Sequence, residues 1–514
     1  MIVHSHFRPG GVRRVIELAA PALVRTLNPR VTEVVLMAGE APEDLWRRNF
    51  EKSLGDVRVT RAIDPALGYL TELRNATRPV LARIRDHLRR WLNRGGKSFV
   101  WAHNQSLGRN LLLTQELSRA SEEFHFPLLL HHHDWWFDNR WARWPEMQRH
   151  GFWTLTKVAR TLFPAHAKVW HATINRADAT ILQRHLGSTT AWLPNPSASE
   201  VRAASSRIRK TQSWIHRELG EHAPIWLVPC RLLRRKNLAE ALLLARWLRP
   251  EAWLVTTAGV SSAAEQSYAR KLEFAARQNG WRLRLGVLDG KSKAPSIPEL
   301  METSEVVLLT SIVEGFGLPY VEAAAARRPF IARMLPNMAS DLNEFGFRFP
   351  QIYDEVFVDP MLFDWPAERR RQTERFRRWR SELPKSAQQQ VRFPSVLTTS
   401  CGFPAVAFSR LTLLAQLEIL RQPVELSWER SVHLNPSLAR WRSQASEGHL
   451  QPTRWPKQAN RWLSVDAYAR RLAELISRPK SNVQQSHGEH CHRDLVASKL
   501  RPEYLYPLLW TVEP

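Results

Sequence analysis

The chain is 514 residues long and carries 74 Lys+Arg against 49 Asp+Glu, a formal net charge of +25. With 44% hydrophobic residues it is too apolar for a disordered or collagen-like chain, and at roughly 100–200 residues per domain it is long enough for two large domains. Arg far outnumbers Lys, and its planar fork suits phosphate and carboxylate groups; nucleic acid, anionic lipid, phosphorylated small molecules and plain genomic composition bias are all compatible with that excess.

Cys230, Cys401 and Cys491 lie far apart and form neither a CxxC pair nor a metal-ligand spacing, which points to a reducing compartment without a disulfide framework. The longest apolar runs, such as Val306 to Thr310, fall short of the about 18 residues that span a bilayer. The opening MIVHSHFRPGG has no apolar stretch of a secretory signal. The expectation is a cytoplasmic protein, with peripheral contact at an anionic membrane left open.

In chain order, Met1 to His4 reads as a strand, followed by a Gly loop and a helix whose apolar Val12, Val15, Ile16, Ala19 and Leu23 fall at helical spacing. Further strands are expected at Glu33 to Met37, Ser98 to Ala102 and Pro127 to Leu130. The Pro/Ser/Ala-rich stretch from Pro194 to Ser206 reads as a connector. A second unit with the same rhythm begins near Pro224. It offers strands at Ala252 to Thr257, Arg282 to Gly286 and Val306 to Leu309, and helices at Ala263 to Asn279 and Pro319 to Arg327. Beyond Pro336 the order is lost, although Phe408 to Leu420 reads as a helix. The Arg-rich run from Ala367 to Glu382 reads as a solvated helix face partly neutralised by Glu368, Glu374 and Glu382, with contact to anionic lipid or an acidic acceptor as its alternative. The resulting division is 1–200, 207–340 and a divergent, mainly helical 341–514, with a disordered or surface tail near 481–494.

The segment from Leu308 to Ala332 carries the most chemistry. A strand runs into Glu314-Gly315-Phe316-Gly317-Leu318-Pro319, and a helix opens where Pro suits a first turn. Free N–H groups and the helix dipole favour an anion there, and Gly315 and Gly317 let backbone approach a ligand closely. Glu322 follows eight residues after Glu314.

This pattern resembles the retaining glycosyltransferases of the GT-B fold, family 4 and its group 1 relatives, whose signature is two Glu separated by seven residues around a GFGLP-type turn. The resemblance departs at Arg327 and Arg328, where that family commonly has a Gly before the Pro. In VPCRLLRRKNLAEAL, Arg231 and Lys236 match the R-x4-K pattern that supplies two cations to a donor diphosphate, while Arg234 and Arg235 read as an exposed basic loop. Gly10 and Gly11 resemble the GG loop near the donor phosphates. PLLLHHHDWW resembles the HD-x-W strand end, so that His133, with Asp134, contacts the transferred sugar; His131 or His132 takes that role if the register slips. Consecutive His on a strand end point different ways, so no metal is expected there. His103 with Asn104, and Asn175 with Asp178, resemble two weaker strand-end segments. His487, His490, Cys491 and His492 match no closed zinc spacing.

The resemblance implies an α/β, GT-B type protein with two doubly wound, Rossmann-like domains facing a central cleft. It implies transfer of a sugar from a nucleoside diphosphate sugar to an acceptor hydroxyl with retention, and no metal cofactor. Arg231, Lys236, Glu314 and His133 are the expected catalytic residues. Gly10, Gly11, Arg231, Lys236, Gly315, Phe316, Gly317, Leu318 and Glu322 are expected at the donor. Sugar, base and acceptor are not legible; glycan and lipid-linked acceptors both fit, and no specific nucleic acid is expected. The alternatives are a sugar-nucleotide epimerase or phosphorylase on the same fold, and a basic protein that binds nucleic acid or a membrane surface.

Overall fold

The computed structural model describes residues 1–72, 77–93, 97–165, 168–199, 203–260, 262–291, 293–394, 405–478 and 484–510. Cys401 lies outside them. The chain forms two compact units: Met1–Ser197 with Glu382–Gln390 and Gln458–Leu500, and Ala198–Ser381 with Val391–Lys457 and Arg501–Pro514. Residues 341–514 are thus divided between the two. No helix among the described residues is long and apolar enough to cross a membrane.

The first unit is built on a seven-stranded parallel sheet. Its strands are β1 (Ile2–Val3), β2 (Glu33–Ala38), β3 (Arg58–Ile63), β4 (Val100–His103), β5 (Leu128–His132), β6 (Val169–Thr173) and β7 (Thr190–Trp192), in the order β3-β2-β1-β4-β5-β6-β7. The central strands are buried throughout, which is why VWAH and LLLHH read as continuous apolar or neutral runs rather than alternating ones. β3, at the edge, is RVTRAI and largely uncovered, and it escapes a reading based on apolar runs. Helix Gly11–Thr26 buries Val15, Ile16, Ala19, Ala20 and Leu23, and against that face pack Tyr468, Ala469, Leu472 and Leu475 of helix Val465–Ser477.

Of the stretch near 481–494 expected as a disordered or surface tail, 481–483 lie outside the described residues, and from Gln485 the chain is instead a docked helix, Gln485–Lys499. Its charged flank is tied down by Glu489 to Arg160 (2.7 Å), Asp494 to His185 (2.9 Å) and Lys499 to Asp178 (3.1 Å). Its apolar flank is sparse, with buried Cys491, Leu495 and Val496. Gly488 lies so close to Phe163 that a Cβ would stand 2.6 Å from the Phe163 carbonyl oxygen. The sequence of this helix is polar on average, and only docking reveals which few positions are covered.

The second unit has a six-stranded parallel sheet: β8 (Ile225–Val228), β9 (Trp253–Thr256), β10 (Leu283–Arg284), β11 (Val306–Leu309), β12 (Phe330–Arg333) and β13 (Gln351–Tyr353), in the order β10-β9-β8-β11-β12-β13. β13 extends the repeating pattern past Pro336. Helix Leu238–Leu248 is apolar nearly all round because it is enclosed: Leu417, Leu420 and Trp441, from helices Leu413–Arg421 and Pro436–Ser446, belong to the same core. The helix read at Phe408 to Leu420 begins as a 3-10 turn, Phe408–Arg410, and becomes α-helical at Leu413.

A buried ionic network lies at the heart of this unit. Arg333 reaches Glu240 at 2.5 and 2.6 Å and Glu355 at 2.5 Å, and the Tyr353 hydroxyl donates to Glu240 at 2.7 Å. Asn237 donates to Glu240 (2.9 Å) and accepts from Gln416 (3.2 Å). The Arg-rich helix, Trp365–Glu382, buries Phe376 and Trp379. Glu368, expected on its solvated face, is buried, accepting from Thr412 N (2.7 Å), Thr412 Oγ1 (2.6 Å) and Gln372 (2.8 Å).

Candidate functional site

In an open parallel sheet, ligands gather beyond the carboxyl ends of the strands, where the strand order reverses. In the second unit that point lies between β8 and β11, paired in register at Trp226–Val306 and Leu227–Val307. Cys230 and Arg231 follow β8; Thr310, Ser311 and Glu314 follow β11. Arg231 is exposed, whereas Cys230 is buried and burial pushes its thiol up to about 11.

The loop after β8 and the turn after β11 are stitched together. Thr310 Oγ1 donates to the carbonyls of Lys236 (2.9 Å) and Asn237 (3.2 Å), and Ile312 N donates to Arg235 O (2.9 Å). Asn237 adopts φ +48° and turns the chain into helix Leu238–Leu248. These bonds deliver Lys236 Nζ onto Glu314 Oε1 and Arg235 Nη1 onto Glu314 Oε2 at 2.5 Å. Ser311 Oγ adds a bond to Oε1 at 2.7 Å, and Asn337 Nδ2 holds the Glu314 carbonyl at 2.9 Å. Burial alone would raise the Glu314 carboxyl, but the charges of Arg235 and Lys236 outweigh it and bring the pKa down to about 2.

The structure therefore unites Lys236 and Glu314 of the expected set, and adds Arg235. That residue is not merely a solvated loop cation: it also donates to Val313 O at 2.8 Å. Arg234 is likewise engaged, by Glu265. Only the 78-residue and 79-residue pairings disclose these partners, and nothing in the local sequence of RRK separates the second Arg from the first.

Helix Leu318–Ala325 follows, with Gly317 as its N-terminal flank at φ +68° and Pro319 in its first turn. A Cβ on Gly317 would stand 2.7 Å from the Tyr320 ring. Phe316 is buried, 6.4 Å from the Phe345 ring, so its backbone rather than its ring is available to a ligand. Gly315 and Leu318 are half-buried, as is Glu322, one turn into the helix. The helix ends with Arg327 N bonded to Ala324 O (3.1 Å) and Arg328 N to Ala323 O (3.0 Å), a closing turn that places Arg327 at φ +53°.

In the first unit the order reverses between β1 and β4. Gly10 is extended and Gly11 starts the first helix; both are exposed. His4 follows β1, and its Nδ1 lies 3.3 Å from His103 O. Side chains alternate across β5, so His132 turns to one face and stacks on His171 with ring centroids 5.4 Å apart, while His131 and His133 share the other. There they meet His103 of β4: His103 Nδ1 is 3.0 Å from His133 Nε2, and the His131 and His133 centroids are 4.3 Å apart. One nitrogen from each of these three buried rings can be chosen so that all lie within 4.8 Å of one another. The expectation that three successive His diverge holds for His132 and fails for its neighbours. Burial lowers the His133 pKa to about 4 against the raising influence of Asp134, and it holds His103 and His131 well below the usual imidazole range. Asp134 is positioned by Asn104 (N to Oδ1, 2.9 Å) and Arg140 (2.9 Å). Asn175 caps helix Arg176–Leu186 through Asp178 N (2.8 Å), and buried Asp178 accepts from Trp135 Nε1 (2.8 Å). That pair has a structural task.

Residues 213–347, which hold β8 to β12 and the Lys236–Glu314 pair, match the family model of Glycosyl transferases group 1. The match covers this segment and not the rest of the chain. The chain is 23% identical over 350 residues to mannosylglucosyl-3-phosphoglycerate synthase of Petrotoga mobilis, covering 65% of this chain and 64% of that protein. The chain thus spans under two thirds of that relative's length. In fold it is similar to Anabaena HepE, solved in complex with UDP and glucose, at a TM-score of 0.51 and 16% identity over 93% of this chain and 99% of that one. The parallel sheets of the two units are the two Rossmann-like sheets of the GT-B architecture.

Proposed function

We propose that this protein transfers a sugar from a nucleoside diphosphate sugar to an acceptor hydroxyl, with retention at the anomeric carbon. The observation that carries the reading is the ion pair of Lys236 with Glu314 in the turn before helix Leu318–Ala325, within the group 1 match.

An ammonium offers three N–H groups, and Glu314 takes one of them, so Lys236 keeps donors for a diphosphate oxygen while it orients the carboxylate. Arg231, exposed at the end of β8, takes two oxygens of the same diphosphate. Together they offset the charge that grows on the leaving group, helped by the backbone N–H groups of Gly315, Phe316, Gly317 and Leu318 at the helix start. Glu314, kept ionised, accepts from sugar hydroxyls, and Glu322 accepts from the ribose. Gly10 and Gly11 lie against the donor, and His133, neutral at pH 7, contacts the transferred sugar. Two cations and a helix terminus carry the charge at the diphosphate, so that step is assigned no metal. The donor class rests on this cation pair and the group 1 match, and the UDP and glucose of the Anabaena structure make UDP-glucose the first donor to try.

Thermal unfolding of the wild type in a panel of nucleotide sugars tests the reading. At least one donor raises Tm, and Arg231→Ala combined with Lys236→Ala abolishes the shift. A panel without any stabilising nucleotide sugar, or a shift unchanged in the double variant, overturns it. The anomeric configuration of the product, read by NMR, decides retention.

A further inference from the structure

We propose that His103, His131 and His133 form a binding site for one late first-row divalent cation, zinc in the cell, at the carboxyl ends of β4 and β5. The site shares His133 with the proposed sugar contact, and the donor reading assigns no metal at the diphosphate.

Three observations carry it. The rings converge from two adjacent strands, with ligand nitrogens within 4.8 Å of one another. His103 Nδ1 and His133 Nε2 are 3.0 Å apart, close to the about 3.3 Å that separates two nitrogens each 2.0–2.1 Å from a tetrahedral zinc. The third ring is oriented from behind: His131 Nδ1 lies 3.2 Å from the Tyr468 hydroxyl, while its Nε2 is buried with no hydrogen-bond partner among the described residues. A ligating His commonly bonds a second group through its other nitrogen, which fixes the ring.

Three His ligands leave a fourth position for water, and Asp134, directly after His133, supplies nearby negative charge. The cation pins the ends of β4 and β5 together and fixes His133 through Nε2, leaving Nδ1 for other contacts. The site uses no acidic cluster and none of His487, His490 and His492, which belong to the docked helix.

The test uses the full-length protein stripped with a chelator, then titrated with Co(II), followed by its visible d–d absorption, and with Zn(II) in competition with a chromophoric chelator. One cation binds per chain, with the intense band of a four- or five-coordinate ion. His131→Gln and His133→Gln abolish saturable binding, and Tyr468→Phe weakens it about tenfold. His132→Gln, on the opposite face, and His490→Gln bind as the wild type does. Circular dichroism and gel filtration check each variant's fold; should His131→Gln unfold, the milder Tyr468→Phe and His133→Gln still decide. Absence of binding by the wild type, binding that survives in both His131→Gln and His133→Gln, or loss of binding in His490→Gln overturns the site.

Discussion

Lys236 and Glu314, 78 residues apart, meet as a buried ion pair between the loop after β8 and the turn after β11. Their side chains are 9% and 8% exposed, so each charge depends on the other.

The Glu314 carboxyl falls from 4.5 to about 2 on folding, so the unfolded chain binds its proton more tightly than the folded one. The stability this contributes, on the order of 3 kcal/mol, is fully present above pH 4.5 and is lost as the pH falls through 4.5 towards 2. Glu314→Gln leaves Lys236 and Arg235 uncompensated and costs about 3–5 kcal/mol near neutrality. Urea unfolding of both proteins across this range should show the gap between them closing on acidification. Parallel pH curves would exclude the ion pair as its source.

Two glycines of the expected donor loops should respond differently to alanine. Gly317 combines φ +68° with a Cβ position 2.7 Å from the Tyr320 ring, so Gly317→Ala strains the backbone and displaces a buried side chain, costing about 2 kcal/mol or more. Gly10 is extended, and the nearest atom to its Cβ position is 4.0 Å away, so Gly10→Ala should change the unfolding midpoint little. If Gly10 serves the donor, its substitution shows in KM and not in Tm. Equal losses of stability in both variants would contradict these geometries.

Arg327 occupies the left-handed position that closes helix Leu318–Ala325, where a residue with a Cβ is disfavoured by about 1 kcal/mol relative to Gly. It is also the position at which the sequence departs from the group 1 pattern it resembles. Arg327→Gly should therefore raise stability by about 1 kcal/mol, measured by chemical denaturation, with the site turn intact. A destabilised variant would mean that the exposed Arg side chain outweighs the strain.

How much was legible follows from how each signal is encoded. β8, β9 and β11 are covered on both faces, so IWLV, WLVT and VVLL stand out as unbroken apolar runs, and the turn before Pro319 is punctuated by its glycines. β3 is an edge strand whose exposed Arg58 and partly covered Thr60 break any such run. Helix Gln485–Lys499 was hidden because its few covered positions sit in a polar sequence and depend on partners more than 300 residues away. Arg235 differs from Arg234 only by direction within a single turn. The convergence of His131, His133 and His103 needed the two-residue period of β5 and the neighbouring position of β4; the first is local, the second is topology.

Gln416 grips Asn237, the residue that turns the chain immediately after Lys236, from a helix that starts well beyond the end of the 213–347 match. Excising that stretch as a minimal domain would strip the lid from Glu240 and Arg333, flood their charges with water and cut the tether on the lysine loop. The boundary of recognisable sequence is therefore not the boundary of the compact unit, and the least familiar part of the chain acts as a scaffold for the most familiar.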